Sequence, residues 1–297
     1  MLTGKASKGS ALLRQNALIC VSLMAAKMGS KYRSEFTDIA GTASGCLDDD
    51  SKEVGASACA CLASLTSHLG IAMLPHMTSF GPKMISMTQD SLGKAAKDEG
   101  HACFAEAGLS AFEALALSVP TLISPYVQGM LQCILHPLCC GTSAPGEIGA
   151  TSRRASARLA SCIAPRTIVP AVISAWGYAS TAGEDSACEL LSLAGGIAAA
   201  FDPAGVQAHH KAIFSLLLDA LGARADALVA LKGGKAPVME DYARVEDAVS
   251  RPPFPCPASF SLIFLCSCPL GAHLLPLSCP KIALYTLHLF HATEGQR

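Results

Sequence analysis

His136-Pro137-Leu138-Cys139-Cys140 puts an imidazole and two thiols, the ligand types of a zinc centre, within five residues. His209-His210 adds an imidazole pair. Zinc sites need ligands paired at short regular spacings, and the chain has no Cys-x-x-Cys. Both clusters therefore read as loop cysteines and a histidine pair at a helix start. Nucleophilic catalysis needs a Ser or Cys held on a sharp turn or paired with a base. Gly41-Thr42-Ala43-Ser44-Gly45 is not a Gly-x-Ser-x-Gly elbow, and it falls inside a predicted helix. Lys232-Gly233-Gly234-Lys235 lacks the framing glycine and the hydroxyl of a phosphate loop. No catalytic, cofactor-binding or metal-binding residue is assigned, and the reading is of a non-enzyme without cofactors. Arg153, Arg154, Arg158 and Arg166 are the one basic concentration. Arg154 and Arg158 are i, i+4 and share a helix face, so Arg153, Arg154 and Arg158 are candidates for a weak phosphate contact. Solvated helix-end charge is the competing reading.

The elements that would carry these residues are helices. Leu12-Leu13-Arg14-Gln15-Asn16-Ala17-Leu18 opens an Ala-rich amphipathic segment, and the pattern returns with drift at Glu53–Cys59 and His101–Ala107. The openings lie 41 and 48 residues apart, and a second apolar segment follows each. One helix pair cannot bury its apolar face, so such units stack side by side into a solenoid. The spacing predicts helices over 10–28, 34–47, 52–69, 100–119, 153–164, 169–179, 186–200 and 207–221, then a linker at Lys232–Lys235 before a short helix over about 238–249. A segment beginning at Pro75 is expected to break at Gly81-Pro82. Pro120 and Pro125 bracket the turn into a helix ending before Pro137, and 139–149 reads as a loop. In the first helix Leu13, Ala17, Cys20, Val21 and Met24 form the predicted core face. Ser34 is the predicted cap of the second. Met73, Met77, Met84 and Met87 read as core, and Asp48, Asp49 and Asp50 as a turn and cap cluster. No segment alternates with period two, so the fold class is all-α.

Composition agrees. The 297 residues carry 22 Lys and Arg against 23 Asp and Glu, so no global field draws in nucleic acid. With 51% hydrophobic and 15% charged residues, the chain is too apolar for disorder. Aromatics at 5% argue against sheets that stack RNA bases. The 14 cysteines form no disulfide framework. Cys20, Cys46, Cys59, Cys61, Cys103, Cys133, Cys162 and Cys188 sit singly in apolar helical stretches and read as small reduced hydrophobes. The opening residues have no apolar signal-peptide core.

The character changes after Ser250. The last 47 residues hold 7 of the 17 prolines but only four charges, and 252–280 hold none. Ser259–Cys279 is long enough to cross a bilayer, against which stand Pro269 and Pro276. The Pro, Phe, Ser, Leu and Cys bias also fits pyrimidine-rich translated intron, and Val249-Ser250 is what a GTGAGT-type splice donor encodes.

Ala11–Leu18, Leu122-Ile123-Ser124-Pro125-Tyr126-Val127-Gln128-Gly129-Met130-Leu131, Leu159–Arg166 with Val169-Pro170-Ala171-Val172, and Phe214–Leu221 occur in that order. Together they resemble the late part of the HEAT repeat-containing protein 1 / U3 small nucleolar RNA-associated protein 10 family. The resemblance covers about residues 10–248. It implies 1–150 as HEAT-like repeats, 151–250 as the start of the family's C-terminal helical domain, and 251–297 as a non-homologous tail, disordered or a gene-model artefact. It implies a scaffold of the small-subunit processome in the nucleolus and nucleus, acting in pre-ribosomal RNA processing coupled to ribosomal RNA transcription. Its partners would be processome proteins, with pre-rRNA or U3 small nucleolar RNA met mostly indirectly, and no small-molecule substrate. Most of the upstream solenoid and the rest of the C-terminal domain would be missing. Two other readings stay open: a generic HEAT or armadillo protein-binding adaptor, and a membrane-anchored helical protein using Ser259–Cys279.

Overall fold

In a computed structural model, residues 10–29, 31–141, 144–201 and 203–231 are described. The expected linker at Lys232–Lys235, the helix over 238–249 and the whole tail lie outside them. The described elements are α1 (Ala11–Met28), α2 (Arg33–Gly45), α3 (Lys52–Leu69), α4 (Leu74–Lys94), α5 (Glu99–Ser118), α6 (Pro120–Ile123) and α7 (Val127–Ile134). There follow α8 (Pro137–Cys140), α9 (Ile148–Cys162), α10 (Pro165–Ala182), α11 (Glu184–Ala200), α12 (Pro203–Gln207) and α13 (His210–Leu231). No strand occurs among the described residues, so the fold is all-α.

Local chemistry sets most boundaries. Gly70 ends α3 with φ +57°, a conformation that costs a side-chain-bearing residue, and its N–H bonds to Thr66 O. Asp98 caps α5, its carboxylate accepting from His101 N at 3.2 Å. Pro120, Pro137 and Pro165 stand in the first turns of α6, α8 and α10, where a missing N–H costs nothing.

Long-range packing sorts the helices into two layers. α1, α3, α5, α9 and α11 lie side by side as one row. α2, α4, α7, α10 and α13 form the second. Helix pairs α2–α3, α4–α5, α7–α9 and α10–α11 join the rows, the side-by-side stacking of an α-solenoid. The core runs between the rows through Leu18, Leu47, Leu62, Leu65, Phe80, Leu92, Phe104, Leu109 and Phe112. Met73, Met77 and Met84 are buried, and Met87 packs against the same core.

Several expectations are corrected. α4 runs unbroken through Pro82, because neighbouring helices over-determine its path and Pro82 itself faces solvent. Ser34 lies inside α2, its hydroxyl donating to Glu35 Oε2, and Tyr32 occupies the cap position. The loop over 139–149 is shorter than expected, since α8 covers Pro137–Cys140. The segment over 207–221 is split by a turn at Ala208–His209. The predicted core face of α1 is only partly used: Leu18 and Ala25 are buried and Ala17 and Val21 half-buried, whereas Leu13, Cys20 and Met24 are exposed.

The aspartate turn also does more than cap. Asp49 takes a bidentate bond from Arg14 of α1, Nε to Oδ2 and Nη2 to Oδ1, each 2.8 Å. That hydrogen bonding, helped by Ser51 N–H, holds the Asp49 carboxyl below its ordinary range. A depressed folded-state pKa contributes stability above the unfolded value, about 3.9, that is lost as pH falls through the folded value. Asp49→Asn therefore lowers the melting temperature at pH 7 and flattens its decline below about pH 4. An unchanged acid limb in thermal melts would remove Asp49 from that role.

Candidate functional site

The residues with chemical potential are absorbed by structure. His136 caps α8, its Nδ1 accepting from Leu138 N at 3.2 Å, which assigns the proton to Nε2. Burial pushes the imidazole pKa down, so it stays neutral at physiological pH. The Cys139 thiol donates to Cys133 O at 3.4 Å and the Cys140 thiol to Ile134 O at 3.5 Å. Burial drives both thiols up to about 12, far from the thiolate that a nucleophile or zinc ligand requires. His210 Nδ1 lies 2.6 Å from Gln207 O in the α12–α13 turn. Among the described residues no group of three His, Cys, Asp or Glu could hold a metal ion. Ser44 is in α2, where its carbonyl accepts from Lys83 Nζ at 3.1 Å.

The cysteines divide by position. Cys46, Cys59, Cys61, Cys133 and Cys139 are buried, while Cys20, Cys103 and Cys188 are exposed, correcting the uniform small-hydrophobe reading. Burial raises the Cys61 thiol to about 11 and moves Cys59 and Cys133 further in that direction. Maleimide treatment of the folded protein, read by peptide mass mapping, is expected to label Cys20, Cys103 and Cys188 in minutes. Cys59 and Cys133 should react only on unfolding, and their early labelling would contradict this packing.

The three arginines all lie exposed on α9, but they do not form one patch. Arg154 Nε donates to Glu113 Oε2 of α5 at 3.3 Å, and its Nη2 donates to Thr151 Oγ1 at 2.9 Å. Arg158 Nε stands 3.9 Å from Glu113 Oε1. One carboxylate thus answers two guanidinium groups across the α5–α9 seam. Arg153 turns the other way, toward α11, where its charge opposes the rise that burial imposes on Glu189. Glu113 was not singled out by sequence reading, because a partner 41 residues from Arg154 leaves no local signal.

A groove of about 900 Å³ runs beside α3 and α5. Its floor is small side chains, among them Ala60, Ser64, Ala107 and Ser110, with Glu99 and Glu106 on α5 at its margin. Nothing there pairs a nucleophile with a base. Such a surface can hold the side chains of another macromolecule on rigid helices.

No family model matches the chain. It is 23% identical over 209 residues to the HEAT repeat-containing protein 1 homolog of Dictyostelium discoideum, covering 69% of this chain and 9% of that protein. It is 28% identical over 169 residues to the Homo sapiens HEAT repeat-containing protein 1, covering 54% and 8%. U3 small nucleolar RNA-associated protein 10 of Pyricularia oryzae is 26% identical over 219 residues, covering 71% and 12%. The chain thus spans about a tenth of the length of the curated relatives it matches. With the stacked helices and these shared names together, a place in the HEAT repeat-containing protein 1 / U3 small nucleolar RNA-associated protein 10 family is supported.

Proposed function

We propose that this chain is a non-catalytic scaffold segment in ribosome biogenesis, within the small-subunit processome of the nucleolus. The observation that carries the reading is the match to relatives named for HEAT repeats and for U3 small nucleolar RNA, over 54–71% of the chain. The stacked helices support it, because a solenoid presents rows of side chains on rigid supports and binds by area. Processome proteins are the main partners, and pre-rRNA or U3 small nucleolar RNA is met mostly through them. Charge favours that order: Glu113 already offsets Arg154 and Arg158, so phosphate contact by Arg153, Arg154 and Arg158 is weak. Residues 1–150 act as the repeat array, and 151–250 open the family's C-terminal helical domain. The test is affinity purification of the tagged chain from its native cells, with mass spectrometry and RNA detection. Co-purification of small-subunit assembly factors with precursor rRNA is expected. A folded, soluble chain that recovers neither would end the processome reading and leave a general helical adaptor.

A further inference from the structure

The groove beside α3 and α5 lies in the middle of the stack, where the two helices have a neighbour on either side in their own row, α1 and α9. Its floor is made of small side chains, Ala60, Ser64 and Ser67 from α3 and Ala107, Ser110 and Ala114 from α5. Along α5 it runs from Glu99 to Ala114, about 22 Å at the helical rise, the length of a four-turn helix. Alanine and serine let a helix laid on them approach to about 8 Å between axes, the short end of the usual range. Charge gathers at one end. Glu99 and Glu106 line the groove, and Glu53 of α3 stands beside it, its Oε1 3.6 Å from where a Cβ on Gly100 would lie. Burial first, and then the carboxylates of Glu53, Glu106 and Glu99, push up the thiol of Cys103 in the same lining. None of the three joins an ion pair among the described residues, and against them the lining sets Lys97. Glu53 and Glu99 occupy first turns, where the helix dipole favours a carboxylate. Glu106 lies two turns in, beyond that field, so the dipole does not account for it.

Charge complementarity selects the occupant. A second copy would set one acidic edge against another. This chain's own residues 238–249 carry Glu240, Asp241, Glu246 and Asp247 against Arg244 alone, and a nucleic acid would meet the same repulsion. We propose that the groove docks a basic amphipathic helix of a protein partner. Lys or Arg at one end of that helix meets Glu53, Glu99 and Glu106, and its small or apolar side chains lie on the alanine and serine floor. This is helix-in-groove recognition, with the charged end fixing register and the floor setting how closely the backbones approach. Exposed carboxylates add encounter rate and specificity more than affinity, so binding is modest, on the order of 50 μM. Any protein-binding role accommodates such a partner, so the groove can fail without the processome reading failing, and the reverse.

Fluorescence anisotropy of the full chain against a labelled Ala/Lys helical peptide of about 16 residues, with its lysines on one face of the first two turns, tests this. Saturable binding that weakens with salt is expected, and none to the Ala/Glu counterpart. Glu99→Gln combined with Glu106→Gln should raise the dissociation constant about tenfold. Ser110→Trp, exposed on the floor, leaves the charge unchanged and should raise it at least as much by filling the groove. Ala60→Trp, exposed on α3, is the second variant should the first fail to fold. Asp38→Asn, exposed on α2 in the other row, should leave binding intact. No binding of the lysine peptide overturns the proposal. So does binding that survives both tryptophan variants or that Asp38→Asn weakens equally, since that is attraction to diffuse charge. A dimer in sedimentation that Ser110→Trp dissociates would give the groove to a second copy and overturn it too.

Discussion

Phe104→Ala destabilises the stack by about 3–5 kcal/mol, a large part of the roughly 5–15 kcal/mol that holds a domain together. Phe104 is fully buried on α5, the helix that packs on α3, on α4 and on α9. Its ring fills the space left by Gly55 of α3, where an added Cβ would stand 2.6 Å from Cε2 and 2.9 Å from Cδ2. Truncation removes the transfer energy of the ring and leaves a cavity at the centre of the row. The pairing makes a sharper test through a double-mutant cycle. Gly55→Ala alone should lose stability, because the methyl collides with the ring. In the Phe104→Ala background the same change should gain about 1 kcal/mol, from helix propensity and partial filling of the void. Urea denaturation measures all four states, and additive effects would show that the two residues do not share this space.

Gly108→Val is expected to cost about 3 kcal/mol, near the upper end for overpacking. Gly108 is buried where α5 meets α4. A Cβ there collides with Thr88 Oγ1 and comes within 2.9 Å of its Cγ2. Thr88 cannot retreat without giving up its 2.8 Å bond to Met84 O inside α4. Even Gly108→Ala should lose, since the collision outweighs the approximately 1 kcal/mol that alanine gains over glycine in a helix. Thr88→Ala should restore part of the loss in either variant by removing the colliding atoms. Denaturation midpoints decide: a Gly108→Ala protein more stable than the parent would mean that α4 and α5 separate freely at this crossing.

The absence of an assembled catalytic group among the described residues follows from these same packing facts. The Cys139 and Cys140 thiols are taken up by burial and the His136 imidazole by capping, and several charged side chains tie helices together. Arg14 to Asp49 joins α1 to the turn before α3, Lys83 to Asp48 joins α4 to that same turn, and Arg154 with Arg158 to Glu113 joins α9 to α5. The more exposed pairs, Lys83–Asp48 and Arg154 with Arg158 to Glu113, contribute about 0–1 kcal/mol each, so they orient neighbouring helices more than they stabilise them.

The all-helical class, the stacked-pair plan and the extents of α1, α3, α5 and α11, within two residues, were legible in the sequence alone. The physical reason is that these are short-range matters governed by 3.6-residue periodicity. What only the tertiary structure decided is which side of each helix is used. α1 has apolar residues on more than one side, so periodicity pointed to Leu13, Cys20 and Met24 while packing against α3 selected Leu18 and Ala25. Pro82 reads as a break locally, yet α4 continues because its neighbours hold it in line. The arginine cluster looked like one basic patch until folding brought Glu113 to two of its members and turned the third toward α11. Contacts between residues some 40 positions apart leave no local trace, because they depend on which faces the neighbouring helices have left free.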